Sequence, residues 1–335
     1  MNLKSLLMGS AAALITVNAA NAADAVVAEP EPHDHVRVCD MYGAGFFYIP
    51  GTETCLKISG ELRVQYNYRK NEDPVDGSND STGEGTWYGR VNFDAQEETD
   101  YGTLRSYIRM ESTTGDHEKE EGEGDVQIRD AYIELGGMSV GYRTSRVELT
   151  GMPGQMFDGS YHGGGRVMYA DYTFAANGLA VLGGVSLDNS ADGSESVDFY
   201  VRADYSADMF SFGGVVGNDT STEESAYGLY ATITPMDGLT LRGYFNDQSG
   251  MTQFGSTTSE DDTRWGLGAS YDVADTVNIA AGYYSSENDT DETEGYSFNL
   301  AWTVVPNLVM QLGYNHEETD ANEEDNYRIR IQRNF

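Results

Sequence analysis

From Leu56 onward, apolar and polar residues alternate along this chain with a period of two, the spacing of a β-strand rather than the 3.6 of a helix. Leu56, Ile58, Gly60, Leu62, Val64, Tyr66 and Tyr68 share one face, while Lys57, Ser59, Glu61, Arg63, Gln65 and Asn67 share the other. The pattern returns at Trp87–Ala95, where Trp87, Val91, Phe93 and Ala95 oppose Tyr88, Arg90, Asn92 and Asp94. It returns again at Thr103–Glu111, with Leu104, Ile108 and Met110 opposite Arg105, Tyr107 and Arg109. Later repeats set Phe199 and Val201 against Tyr200 and Arg202, Leu241 and Phe245 against Arg242 and Tyr244, and Phe298 and Leu300 against Ser297 and Asn299. The last runs from Tyr327 to Phe335, with Tyr327, Ile329, Ile331 and Phe335 interleaved with Arg328, Arg330, Gln332 and Asn334. Counting such runs between turn signals gives roughly sixteen strands, an even number suited to a closed antiparallel barrel with one face toward lipid and one toward water. The strand near Val126–Gly136 changes apolar parity between Ile128 and Ile133, which predicts a bulge.

The connections carry a second periodicity, alternately long and short. Long, mostly acidic ones fall at Arg69–Gly85, Glu111–Asp125, Asp247–Asp262, Ser285–Glu294 and His316–Asp325. Short ones fall at Glu97–Tyr101, Gly136–Met138, Ala175–Gly178, Pro235–Gly238, Asp272–Thr276 and Pro306-Asn307. Brief inner turns and extended outer loops sort this way in an outer-membrane barrel, which places both chain ends in the periplasm. One outer connection differs from the rest. Arg143–Gly165 is long, Gly-rich and less acidic, carrying Arg143, Arg146, Glu148, Asp158 and His162 among apolar Leu149, Met152, Met156 and Phe157. A long loop with apolar anchors is expected to pack against something.

The first residues fit export. Lys4 precedes an apolar run from Leu6 to Ala20 and the small-x-small site Ala20-Asn21-Ala22, so 1–22 reads as a signal peptide. Residues 23–55 then read as a periplasmic segment and 56–335 as the barrel. No later stretch supplies the ~18 consecutive apolar residues of a spanning helix. The mean hydropathy of −0.49 suits a barrel, because lipid-facing and water-facing residues cancel. Composition agrees, with Gly at 39 and Tyr at 23 against only 7 Pro.

Charge narrows the partners. With 20 Lys+Arg against 55 Asp+Glu the formal net charge is −35, which argues against nucleic acid. Cys39 and Cys55 are the two cysteines and, in an exported chain, read as a disulfide closing a loop of about 15 residues. A metal or catalytic role for them lacks a neighbouring His at ligand spacing.

The stretch Val36–Tyr68 reads VRVCDMYGAGFFYIPGTETCLKISGELRVQYNY and resembles the opening of the alphaproteobacterial general porins of the rhizobial and Brucella type. DYGTLRSYIRM from Asp100, DAYIELGGMSVGY from Asp130 and the aromatic carboxyl terminus extend the resemblance to Phe335. The resemblance implies a sixteen-stranded transmembrane β-barrel in the outer membrane, a homotrimer, passing small hydrophilic solutes and ions passively. It implies that Arg143–Gly165, third of the outer loops, folds inward to narrow the pore. It implies outer-membrane lipid and lipopolysaccharide as surroundings, and recognition of the Phe335 strand by the barrel-assembly machinery. No cofactor is expected. The acidic loops are this chain's own departure from the family.

The candidate chemistry is electrostatic. By parity Lys57, Arg63, Arg90, Arg105, Arg109, Arg202, Arg242, Arg328 and Arg330 face the lumen. With Arg143 and Arg146 they form a basic wall to set against Glu148 and Asp158, giving a transverse field that orients polar solutes. The plainer alternative is that the arginines pair with lumen acids such as Glu61 and Asp94 and stiffen the wall. Outer-loop acid concentrates cations at the mouth while the arginines oppose them inside, so a modest cation preference is expected. Gly137–Gly141 matches the G-x-S-x-G of serine hydrolases but crosses a hairpin instead of a strand-to-helix elbow, and no enzyme is expected. His33, His35, His117, His162 and His316 are scattered, and Glu287–Glu294 lacks the order of a calcium loop. Trp87, Tyr101, Trp265, Tyr271, Tyr283, Tyr296 and Trp302 fit interfacial girdles. Rival readings are a sugar- or cation-selective channel, a plugged structural or adhesive barrel, and a secreted soluble β-protein.

Overall fold

The computed structural model describes residues 37–72, 79–113, 126–147, 149, 151–156, 166–189, 195–220, 223–248, 262–288, 291–319 and 322–335. The expected signal peptide 1–22 and His33, His35, His117, Glu148, Asp158 and His162 all lie outside the described residues.

A 3-10 turn at Asp40–Tyr42 and a two-residue strand β1 (Phe47–Tyr48) precede the barrel. The strands that follow are β2 (Cys55–Glu72), β3 (Asn79–Thr99), β4 (Gly102–Thr113), β5 (Gln127–Leu135) and β6 (Met138–Thr144). Next come β7 (Arg166–Ala176), β8 (Leu179–Asn189), β9 (Glu195–Ser206), β10 (Phe210–Asp219), β11 (Glu224–Met236) and β12 (Leu239–Gln248). The last five are β13 (Asp262–Ala274), β14 (Val277–Asn288), β15 (Glu292–Val305), β16 (Leu308–Thr319) and β17 (Glu323–Asn334). Each of β2–β17 pairs antiparallel with its sequence neighbours, and β17 pairs with β2, so sixteen strands close into a barrel. Closure satisfies every strand edge internally, the condition for crossing a bilayer as a sheet.

The alternation sets the two faces. Outward, Val64, Tyr66, Phe199, Leu229, Leu267, Phe298, Leu312 and Ile329 are exposed, as lipid contact requires. Trp87, Trp265 and Tyr296 lie exposed toward the outer strand ends and Tyr271 and Trp302 toward the inner ends, matching the girdle positions. Aromatic neighbours reinforce both belts, with Tyr314–Tyr327 at 5.1 Å and Trp265–Tyr283 at 5.4 Å above, and Tyr205–Phe212 at 5.5 Å below. The short inner connections are tight hairpins. At Asn177-Gly178 both residues have positive φ, 52° and 81°, the pair of conformations that a two-residue turn matched to strand twist demands.

The outer connections are shorter than the sequence pattern suggests. The β2–β3 ladder continues to Glu72↔Asn79, β14–β15 to Glu287↔Glu292, and β16–β17 to Glu318↔Glu323. Most of Arg69–Gly85, Ser285–Glu294 and His316–Asp325 is thus strand. Beyond the bilayer neither face needs apolar side chains, so the ladder persists after the alternation has stopped.

The seam carries the chain terminus. Phe335 N–H donates to the Gly60 carbonyl at 3.0 Å and Gly60 N–H to the Phe335 carbonyl at 2.8 Å. The Phe335 ring occupies the space where a Gly60 side chain would stand. Close by in sequence, a disulfide joins Cys39 to Cys55 across a Cα–Cα distance of 6.0 Å. Both half-cystines are buried with Phe46, the Lys57 ammonium stands 5.7 Å over that ring, and Thr54 Oγ1 donates to Glu97 at 2.9 Å. Tyr42 donates to Glu98 at 3.1 Å; burial and that carboxylate push its hydroxyl up to about 12.

Candidate functional site

The expected bulge is present, and it rearranges the inner wall. Between β4 and β5 the register passes from Arg109↔Asp130 to Met110↔Ile128, leaving Arg129 without a cross-strand partner. Ile128 and Ile133 are 57% and 51% exposed on the outer face, so the extra residue turns both Arg129 and Asp130 inward. Arg129 thereby joins Arg90, Arg109 and Arg166 around one carboxylate, Glu111, whose side chain is 5% exposed. Glu111 Oε2 accepts from Arg109 Nη2 at 2.9 Å, Arg90 Nε at 3.2 Å and the Tyr88 hydroxyl. Its Oε1 lies 2.8 Å from Arg129 Nε and 3.5 Å from Arg166 Nη2. Asp130 supplies a second anion, 3.4 Å from Arg109 Nη1.

A second group sits farther down the same wall, with charge matched. Arg105 makes a bidentate pair with Asp94 at 2.9 and 2.8 Å and reaches Glu134 at 3.0 Å. Arg146 Nε pairs with Asp171 at 3.1 Å while its Nη2 lies 3.8 Å from Glu134, and Arg143 lies 4.0 Å from Glu134. Inward tyrosines hold these guanidiniums flat. Arg63 and Arg90 stack over Tyr88 at 4.8 and 5.1 Å, Arg143 over Tyr132 at 4.6 Å, and Arg105 over Tyr107 at 5.2 Å. Ser139, the serine of the G-x-S-x-G match, is buried in this wall at 2.6 Å from the Tyr169 hydroxyl, on a strand entered from a hairpin.

The remaining basic candidates stand elsewhere. Arg202 pairs with Asp204 at 2.8 Å and donates to the Arg146 carbonyl at 3.2 Å, while Arg242 stacks over Tyr230 at 4.7 Å. At the seam Arg63 meets Glu61 at 2.5 Å, Arg328 donates to Asn67 at 2.6 Å, and Arg330 donates to Gln65 at 2.9 Å. The predicted residues therefore fall into four groups rather than one. Many of these arginines do pair with lumen acids, as the plainer alternative holds. Arg129, Arg166 and Glu111 were not among the candidates. The parity switch at Ile128–Ile133 was the signal for Arg129; nothing local marks Arg166.

The connection after β6 touches residues far away in sequence. Val147 and Leu149 cluster with Leu182, Tyr200, Val215 and Ala226 of β8–β11. Met152 packs with Tyr244 and Tyr284, and its side chain fills space left by Gly268 and Gly282. Gln155 Oε1 accepts from Ser297 Oγ at 2.7 Å and from Asn299, Met156 N–H donates to Asn299 at 3.0 Å, and the Met156 carbonyl accepts from Arg328 at 3.0 Å. These contacts step in order from β8 to β17, on inward-facing positions, while the arginine wall lies on β2–β7.

A closed sixteen-stranded barrel with an apolar outside and a charged, polar inside defines a transmembrane channel protein. A family model described as "Porin subfamily" matches residues 24–334, and the chain belongs to that family. It is 33% identical over 350 residues to Porin Omp2a of Brucella ovis, covering 92% of this chain and 96% of the relative. It is 32% identical over 340 residues to Porin Omp2b of Brucella suis biovar 1, covering 92% and 91%. Among solved structures, the outer membrane channel DcaP of Acinetobacter baumannii aligns with a TM-score of 0.71 at 13% identity, covering 86% of this chain and 99% of that one. A mutant of the Rh. blastica porin aligns with a TM-score of 0.56 at 15% identity, covering 84% and 100%. At these identities the structures speak for the fold, and the sequence relatives for the function. The protein is an outer-membrane porin.

Proposed function

We propose that this porin passes small hydrophilic solutes and ions by passive diffusion, through a lumen narrowed by the inward-folded segment Arg143–Gly165. The observation that carries this reading is the run of contacts from Val147 to Met156 with inward residues of β8–β17, opposite the arginines of β2–β7. An aperture bounded by an arginine wall on one side and a loop on the other imposes a transverse field on whatever passes. Arg63, Arg90, Arg105, Arg109, Arg143, Arg146, Arg202, Arg242, Arg328 and Arg330 line the route, and Glu148 and Asp158 supply the opposing charge. With this acidic a chain, net −35, the mouth gathers cations and the channel prefers them modestly.

The chain is exported with 1–22 removed as a signal peptide, and 23–55 remains periplasmic, tied by the Cys39–Cys55 disulfide. It works as a homotrimer among outer-membrane lipid and lipopolysaccharide, assembled through recognition of the Phe335 strand, and performs no enzymatic step. Refolded protein lacking 1–22, placed in a planar bilayer, tests this. Stepwise insertion of three coupled conductances is expected, with a reversal potential of cation-selective sign under a salt gradient. Silence from a folded barrel would point to a plugged structural protein, and chloride-selective potentials would remove the charge assignment.

A further inference from the structure

The two arginine groups on the β3–β7 wall differ in charge balance. In the lower group Arg105, Arg143 and Arg146 face Asp94, Glu134 and Asp171, one carboxylate for each guanidinium. In the upper group Arg90, Arg109, Arg129 and Arg166 converge on Glu111; Asp130 lies 3.4 Å from Arg109, and Glu61, which also holds Arg63, lies 3.8 Å from Arg90. Each guanidinium carries five N–H donors in a rigid plane, so these four and Arg63 together present far more donors than the three carboxylates can accept. The Glu111 side chain is 5% exposed, whereas those of Arg90, Arg109, Arg129 and Arg166 are 26%, 21%, 33% and 22% exposed. The anion lies beneath and the cations face the water.

We propose that this array is a binding subsite for small, doubly charged oxyanions, solutes bearing a phosphate monoester or two carboxylates. The inference rests on the porin reading and deepens it by naming a solute class. Like-charged guanidiniums gathered on one carboxylate repel each other, and a dianion docking on their exposed edges relieves that repulsion. Arg forks match carboxylate and phosphate oxygens two at a time, which favours an anion with several oxygens over chloride. The array is built in place before any solute arrives. The bulge fixes Arg129, Arg166 Nε donates to the Arg129 carbonyl at 3.0 Å, and Tyr88 stacks under Arg90. Because the Debye length is about 8 Å at physiological salt, the attraction acts on solutes already within the pore and is compatible with cation preference at the mouth.

Single-channel current in KCl at pH 7.4, with glycerol phosphate, succinate, acetate or glycerol added to one side, tests the proposal. Glycerol phosphate and succinate are expected to reduce the current saturably, while acetate and glycerol do so far less. The phosphate and dicarboxylate arms report separately which oxyanion the array prefers. The double variant Arg129→Gln/Arg166→Gln should weaken the block about tenfold or more. Arg143→Gln/Arg146→Gln, in the charge-matched group, should weaken it much less. Equal block by acetate and succinate, or a block unchanged by Arg129→Gln/Arg166→Gln, overturns the subsite. If that double variant does not assemble, Arg166→Gln alone and the acetate-against-succinate comparison on the unaltered protein decide it. An open KCl conductance without dianion block removes this inference alone, whereas absence of any conductance removes the porin reading with it.

Discussion

Met152 occupies the space in which a side chain at Gly282 would begin: its Sδ and Cε both lie 2.7 Å from where a Gly282 β-carbon would be. Gly268 makes the same concession, 2.8 Å from Met152 Cβ, so the inner wall of β13–β14 is hollowed to seat this methionine. Gly282→Leu is expected to expel Met152 and loosen the segment after β6. Overpacking of this kind costs about 1–3 kcal/mol, to be read as a lower thermal unfolding temperature. On the proposal that this segment narrows the lumen, single-channel conductance should rise once it is no longer held against β13–β14. Unchanged conductance in a folded variant would show that the segment does not define the aperture.

Replacing Glu111 with Gln removes the anion to which four arginines are drawn. The lumen gains one positive charge at that level, so the reversal potential under a KCl gradient is expected to move toward chloride. The movement should be largest at low salt and shrink as screening increases. Glu111 is nearly buried, so leaving its site uncharged also costs stability, and folding should be verified by heat-modifiable electrophoretic mobility. A shift toward potassium would contradict the charge count of this wall.

The Cys39–Cys55 bridge spans 16 residues in sequence and ties the segment before β2 to the first barrel strand. In the chain-entropy account a loop of this size contributes about 3 kcal/mol. Cys39→Ser/Cys55→Ser is therefore expected to expose 38–54 to protease while the barrel core stays resistant. Limited proteolysis of the two proteins side by side measures this, and equal resistance would mean that the Phe46 packing alone holds the segment.

Leu267, at the middle of β13, is 60% exposed on the outward face. Leu267→Arg should cost about 2–4 kcal/mol if that level is the bilayer midplane. Gln311→Arg, on the inward parity of β16, should cost far less. Urea unfolding from liposomes compares the two directly, and equal costs would invalidate the assignment of faces.

Much of this was legible along the chain. The strands, both faces and the bulge at Arg129 follow from a period of two, because lipid on one side and water on the other write themselves onto successive residues. The ends of β2, β14 and β16 were misjudged because that pressure ceases outside the bilayer while backbone pairing continues. The meeting of Arg166 with Glu111, and of Gln155 with Ser297 and Asn299, could not be read from local pattern. Such contacts depend on how the closed wall curves, and no residue near 155 in sequence records what stands near 297. Inward tyrosines such as Tyr132 and Tyr169 were hidden for a related reason, since an aromatic serves equally well against lipid or beneath a guanidinium.

The seam between β17 and β2 pairs Glu323–Asn334 with Glu61–Glu72, the two ends of the barrel sequence, whereas every other pairing joins neighbours. A chain stopped short of its last dozen residues would still form hairpins, yet would present two open edges and no sealed cylinder. Closure is thus a test of completeness applied by geometry itself: an unfinished polypeptide would leave the backbone groups of two edge strands unpaired, at a cost of several kcal/mol for each one that meets lipid.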